Sequence, residues 1–247
     1  MLAWHFLQQD RCLQWGTKEE VIPGKKIIVL PPLEMCRHGL HASKDAIDAI
    51  SYAPDPVVCR VMLSGEILYD KDKCCATERI VLWMADATMV LHEFACWCAE
   101  EALLNERRAG WEPDAKFWAA IQAKRDWLSG KIDLDKLAAA KEAALIEVWT
   151  QSDAAAWTPS WSAAQGAVLA AAEADALNAA RIAAQGAARA AARAAISKAA
   201  KGASHEAVSE AAWLTVRAAQ NAKLTEMILT LEAPSLRLEP IETDGAR

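Results

Sequence analysis

No stretch of this chain approaches the roughly 18 uninterrupted apolar residues that a membrane-spanning helix needs. The opening Met1-Leu2-Ala3-Trp4-His5 also lacks the basic region and apolar run of a secretory leader. A cytoplasmic protein is expected, with no membrane partner. The signatures of common enzyme folds are missing too. Without a GxSxG elbow, a P-loop or a GxGxxG turn, serine-hydrolase, nucleotide-triphosphatase and dinucleotide-fold readings have no support in the residues. No CxxC or HxxxH pair offers a zinc framework. Positive charge is not in excess: the net charge of −6 argues against general nucleic-acid binding, yet it is too mild for a DNA mimic. Seven cysteines, an odd number that includes the adjacent Cys74 and Cys75, do not make a secreted disulfide framework. They are expected to be reduced.

What the chain has in abundance is alanine. A tract from Ala154 to Ala222 carries Ala163-Ala164-Gln165-Gly166-Ala167 and repeats it as Ala183-Ala184-Gln185-Gly186-Ala187. Alanine enters helices without loss of side-chain entropy but brings no nucleophile, acid, base or metal ligand, so the tract predicts a helical scaffold. Its sparse large residues, Trp157, Trp161, Leu169, Leu177 and Ile182, are too few for a thick core. Helices here are expected to approach through alanine faces, with breaks or bends near Pro159, Gly186 and Gly202, and with Gly166 and Gly186 marking the tightest contacts. One basic run, Arg181, Arg189, Arg193, Lys198 and Lys201, has no acidic residue between its ends. It fits a solvated helix face or a binding patch. The eleven tryptophans, among them Trp118, Trp127 and Trp213, fit packing anchors or interface residues.

At 247 residues the chain can bury one large core or two modest ones. Residues 1–85 predict a small α+β domain: β-rich runs at Ile27–Leu30, Val57–Leu63 and Ile80–Trp83 are separated by Pro23-Gly24, Pro31-Pro32, Pro54-Asp55-Pro56 and Ser64-Gly65. Ser43 is expected to cap a helix from Lys44 to Tyr52. From residue 86 the pattern turns helical to about residue 233, followed by an extended tail over 234–247. A stripe of Leu91, Phe94, Ala95, Cys98 and Ala102 predicts a first helix from Thr88 to Arg107. Pro113 opens a second that closes at Ser129-Gly130, Asp133 caps a third reaching Trp149, and Leu214, Ala218, Leu224, Ile228 and Leu231 are assigned to one face of the last. The fold class is α+β, predominantly α: a small N-terminal mixed α/β-sheet domain followed by an Ala-rich multi-helix domain.

Two clusters carry potential chemistry. Cys36-Arg37-His38-Gly39-Leu40-His41 places one thiol and two imidazoles within six residues, a zinc-compatible set that lacks a fourth ligand. His92 and Cys96 stand one helical turn apart, where burial of Cys96 and Cys98 in a helix–helix core competes with a ligand role. A nucleophilic cysteine would pair with His38, His41 or His92.

Gly39-Leu40-His41-Ala42-Ser43, Tyr52-Ala53-Pro54, Val61-Met62-Leu63-Ser64-Gly65-Glu66-Ile67 and Asp72-Lys73 follow in order. This series resembles a small domain of uncharacterised bacteriophage and prophage proteins, some with Ala-rich helical tails. The resemblance covers about the first 85 residues. It brings no activity but implies a phage or mobile-element origin, and with it a protein that binds a host complex, including antiviral defence of the anti-CRISPR kind.

A second resemblance is to ADP-ribosyltransferases, which use a histidine, a tyrosine and a later glutamate to hold NAD. His41, Tyr52 and Glu78 occur in that order. The competing structural reading has His41 hydrogen-bonded to backbone, Tyr52 ending its helix against the sheet, and Glu78 on an exposed strand. The preferred expectation is protein–protein recognition of a host complex, a nucleic-acid-binding one among the candidates, without metal or cofactor. An NAD-using transferase and a virion or structural accessory protein remain as alternatives.

Overall fold

In the computed structural model, residues 1–13, 18–150, 159–200 and 202–232 are described. Trp157, Lys201 and the extended tail expected over 234–247 lie outside them, as does the side chain of Trp161.

Strand β1 spans Leu2–Leu7 and was not expected. Trp4 and Phe6 go into one apolar cluster while Ala3 and Leu7 go into another, so both faces are covered and no polar alternation betrays the strand. Two 13-residue strands, β4 (Val57–Tyr69) and β5 (Cys74–Asp86), form a long antiparallel hairpin. Ser64-Gly65, expected to end a strand, lies within β4 at a register shift between Ser64 and Ile67. Gly65 has φ +74°, and a Cβ there would lie 2.1 Å from Thr77 Oγ1, so glycine marks a bulge and not a turn. β1 pairs with β4, while β2 (Lys26–Ile28) and β3 (Leu40–Ala42) both pair with β5. Just past β3, Ser43 exchanges two backbone hydrogen bonds with Trp4, at 2.7 and 2.9 Å. The sheet therefore curls until β3 reaches β1.

That bridge also corrects the helix start. Ser43 is buried in the sheet and caps nothing; α1 covers only Ala46–Ala49, with Asp45 at its N-cap, and continues as a 3₁₀ turn over Ile50–Tyr52.

β5 ends at Asp86 and α2 runs from Thr88 to Arg108. α3 (Ala115–Leu128) is capped by Asp114, which accepts from Lys116 N at 2.8 Å, so Pro113 stands before the cap instead of in the first turn. Gly130, φ +74°, follows its end. α4 is Leu134–Thr150, with Asp133 accepting from Lys136 N at 2.9 Å. The alanine tract supplies α5 (Pro159–Ala171), α6 (Ala176–Lys198) and most of α7 (His205–Leu229).

α6 passes through Gly186 without a break. At that point a Cβ would lie 3.0 Å from Ala167 Cβ and 3.1 Å from the Ala163 carbonyl, so the glycine admits α5 at backbone distance. Gly166 has open space where its Cβ would be; of the two expected tight contacts, only Gly186 is one. Ala163, Ala164, Ala167, Ala179, Ala180, Ala183, Ala184 and Ala187 are buried, so the alanine faces pack on their own chain. On α7 the buried face is Gln220, Leu224 and Ile228, while Leu214 and Ala218 are exposed. At about 100° per residue those two sit about 80° and 120° away from Leu224, which corrects the expected stripe.

The sheet and helices share a core. One apolar cluster runs from Trp4, Ile47, Ile50, Val58 and Trp83 through Leu91, Phe94, Leu103 and Phe117 to the buried alanines, Leu224 and Ile228. A second, containing Ala3, Leu7, Val21, Cys59, Val61, Leu63 and Val81, lies within the curl of the sheet. Among the described residues no helix is long and apolar enough to cross a membrane.

Candidate functional site

Three of the sequence motifs, at Gly39–Ala42, Tyr52 and Asp72–Lys73, meet near the turn between β4 and β5. Backbone bonds between Glu34 and His38 close a turn, the His38 ring bonds the Leu30 carbonyl at 2.6 Å, and Arg37 pairs with Glu34 at 2.7 Å. At the tip of this turn Cys36 is exposed with φ +66° and donates its backbone N–H to His41 Nε2 at 2.9 Å. His41 accepts there, so its ring is neutral with the proton on Nδ1. Burial pulls its pKa below the ordinary range, against a backbone hydrogen bond at Gly39 and with help from Arg79 and Lys73.

Tyr52 donates its hydroxyl to Asp72 Oδ2 at 2.6 Å. The Lys73 ammonium lies 4.7 Å from the centroid of the Tyr52 ring. Side-chain hydrogen bonds to Cys36 and Tyr52 raise the pKa of Lys73. Beneath them Cys75, opposite His41 in the β3–β5 register, is buried against Gly39, whose missing Cβ would lie 3.1 Å from Cys75 Cβ. Glycine is required there, with φ +137°.

Glu78 is engaged elsewhere. It pairs with Lys26 at 2.8 Å and accepts from Ser64 Oγ at 2.6 Å, and both partners lower its pKa. It stands three positions along β5 from the residue opposite His41. His41 and Tyr52 thus meet the same hairpin end, near Lys73, while Glu78 is held by a different set of neighbours. Among the described residues no group of His, Cys, Asp and Glu is arranged to hold a metal ion.

The other histidine–cysteine pair is core. His92 is 2% exposed, packs edge-on to Trp127 at 5.5 Å, and is pulled down to about 4 by burial and Lys124. Burial pushes the Cys96 thiol up to about 12, so it stays protonated at neutral pH and is no nucleophile. Lys124, fully buried, donates to the Glu173 carbonyl and stands 4.2 Å over Trp127; burial pulls it down to about 8.

The basic run divides. Arg181 donates Nε to the Ile50 carbonyl at 2.6 Å and Nη2 to the Ala53 carbonyl. It ties α6 to the end of the 3₁₀ turn, giving the Ala53 carbonyl a donor and the Ile50 carbonyl, which also accepts from Ala53 N, a second one, and is structural. Arg189, Arg193 and Lys198 are exposed. Ile182, Gln185, Arg189 and Arg193 form one exposed stripe at spacings of three and four, opposite the alanine face.

Two functional-looking cations escaped the sequence reading. Lys73 was one letter of a pattern with no partner assigned. Arg79, 2% exposed, donates Nη1 to the His41 carbonyl at 3.0 Å and is pulled down to about 10 by burial. The predicted strand began one residue after it, which hid its inward position. Against protein-family descriptions, curated proteins and solved structures alike, the chain finds no match.

Proposed function

We propose that the chain acts by protein–protein recognition through the solvent side of α6, as a phage or mobile-element protein that occupies a host complex in the host cytoplasm, of the antiviral-defence kind. The observation that supports this reading is the division of α6. Its alanine side is consumed by α5 and α2, leaving Arg189, Arg193 and Lys198 displayed on a helix whose position is fixed by packing. Rigid presentation lowers the entropic cost of binding, and a basic stripe favours an acidic surface, including one that competes for a nucleic-acid path. With a net charge of −6 the stripe is a local feature, which fits one partner better than general nucleic-acid binding.

Affinity capture from the bacterial host tests it. The wild-type chain is expected to retain a defined complex, and Arg189→Glu/Arg193→Glu to weaken retention by about tenfold or more, with a smaller salt dependence. Equal retention by the reversed variant removes α6 from the interface. The NAD-using alternative draws on His41 and Tyr52 meeting one hairpin end, and requires Glu78 to leave Lys26 and Ser64. NAD turnover abolished by His41→Ala would favour that reading over recognition. Recovery in purified particles would favour the virion reading.

A further inference from the structure

We propose that the curled sheet holds a site for a small carboxylate, bound side-on by the Nε–Nη2 edge of Arg79 with His5 beside it. Strand alternation places both side chains. On β1 His5 has the parity of Ala3 and Leu7, and on β5 Arg79 has the parity of Val81 and stands opposite Leu63 of β4; those four apolar residues all belong to the cluster within the curl. Arg79 is therefore a cation among apolar neighbours, 2% exposed. The curl brings His5 round to it. Trp4 bridges Ser43, so the next antiparallel pair is His5 and Ala42, one residue from the His41 carbonyl to which Arg79 donates Nη1 at 3.0 Å.

One carbonyl orients the guanidinium without cancelling its charge. Nε is buried with no acceptor, and among the described residues Arg79 forms no ion pair. Glu78, its neighbour in sequence, is on the opposite face and engaged by Lys26 and Ser64. Burial pulls the Arg79 pKa down to about 10, which still leaves it charged at neutral pH. A buried charge is costly unless an opposite charge with matching hydrogen bonds joins it. The part of the fork left over, Nε and Nη2, has two N–H donors side by side, the arrangement that a planar carboxylate accepts with its two oxygens.

His5 is partly exposed, so solvent reaches the neighbourhood of the guanidinium, and its neutral ring has an N–H to donate to the same anion. Burial first, and then the positive charge of Arg79, holds the His5 pKa well below the ordinary range, the sign expected of a ring that faces a cation. The fully buried Cys59, Val61 and Val81 form close-packed walls, which restrict the ligand to a few atoms, as in formate or acetate. The site shares no residue with the α6 surface, so failure of either proposal leaves the other standing.

The test titrates the folded full chain with sodium formate and sodium acetate at constant ionic strength and neutral pH, with chloride and phosphate as comparison anions, and follows arginine Nε–H and histidine ring signals by NMR. The Arg79 Nε–H signal, identified by its absence in Arg79→Lys, is expected to move saturably with the carboxylates, with a midpoint of about a millimolar, the strength that so few ligand atoms reach. The His5 ring is expected to follow with the same midpoint while the exposed His205 stays still. Phosphate, tetrahedral and more strongly hydrated, is expected to bind about tenfold more weakly. Arg79→Lys keeps the charge without the fork and is expected to weaken the His5 response about tenfold. Should that variant not fold, the His5 ring, assigned with His5→Gln, carries the reading in the wild-type chain. Equal shifts with carboxylate and chloride, a drift without saturation, phosphate bound as tightly as carboxylate, or an unchanged His5 response in folded Arg79→Lys overturns the proposal.

Discussion

His92 and Lys124 sit side by side in the helical core, and their titration gives stability a shape that can be measured. In the unfolded chain the His92 imidazole takes its proton near 6.5, in the folded chain near 4. The unfolded state binds more protons between those values, so stability is lost as pH falls from about 6.5 to about 4, by up to about 3 kcal/mol. Urea unfolding at a series of pH values checks it: His92→Gln should flatten this limb. Lys124 acts at the other end. Its folded value of about 8 lies below the ordinary 10.5, so the unfolded state again holds the extra proton and this term raises stability as pH climbs from 8 to 10.5. Cys59 and Cys96, both pushed up to about 12 by burial, work against it above about 9, because their unfolded thiols ionise first. The Lys124 contribution therefore emerges as the pH dependence of the difference between wild type and Lys124→Met. A difference constant from pH 8 to 10 would contradict the burial of this ammonium. None of this was legible in the sequence, where Lys124 looks like any lysine on an amphipathic helix.

At the scale of elements, the two copies of Ala-Ala-Gln-Gly-Ala have identical sequence and opposite meaning. Gly186→Ala pushes a methyl to 3.0 Å from Ala167 Cβ and 3.1 Å from the Ala163 carbonyl, and neither neighbour is the flexible end of a side chain. Overpacking of this kind costs about 1–3 kcal/mol, enough to outweigh the helix-propensity gain of about 1 kcal/mol. Gly166→Ala meets open space, so it should stabilise by about 0.5–1 kcal/mol. Thermal melts of the two variants in parallel decide the matter; shifts of the same sign would mean that the α5–α6 contact is misplaced.

Helices with large apolar residues at three and four spacing, such as α2 with Leu91, Phe94 and Ala95, were legible because one stripe is buried. The alanine helices had no such stripe, so the break at 172–175, where Asp175 caps α6, was read instead as a bend at Gly186. In the sheet, β1 was lost because both its faces are covered, and the Gly65 bulge looked like a turn because both demand a positive φ. Of the candidate sites, the exposed part of the basic run was visible from composition. The strut made by Arg181 was not, since its partners, the carbonyls of Ile50 and Ala53, lie about 130 positions away in the chain. Arg181→Ala removes this partner from the Ala53 carbonyl and leaves the Ile50 carbonyl only its bond from Ala53 N, and should cost about 1–3 kcal/mol, read by urea unfolding, while the proposed binding through Arg189 is retained.

For the whole molecule, the change in composition near residue 86 divides sheet from helices in sequence but not in the core, because Trp4 and Trp83 pack with Phe94 and the alanine helices in one cluster. The sheet braces the bundle, with Arg181 and the Arg217–Asp48 pair at 2.6 Å joining α6 and α7 to the segment around α1. α6 is thereby held with its basic stripe outward, the property on which the proposed recognition depends. The most direct measurement is capture from host lysate by wild type and by Arg189→Glu/Arg193→Glu, with matched melting temperatures as the control for folding. A defined complex retained by wild type and weakened about tenfold or more by charge reversal is expected; equal retention by both would contradict recognition through α6.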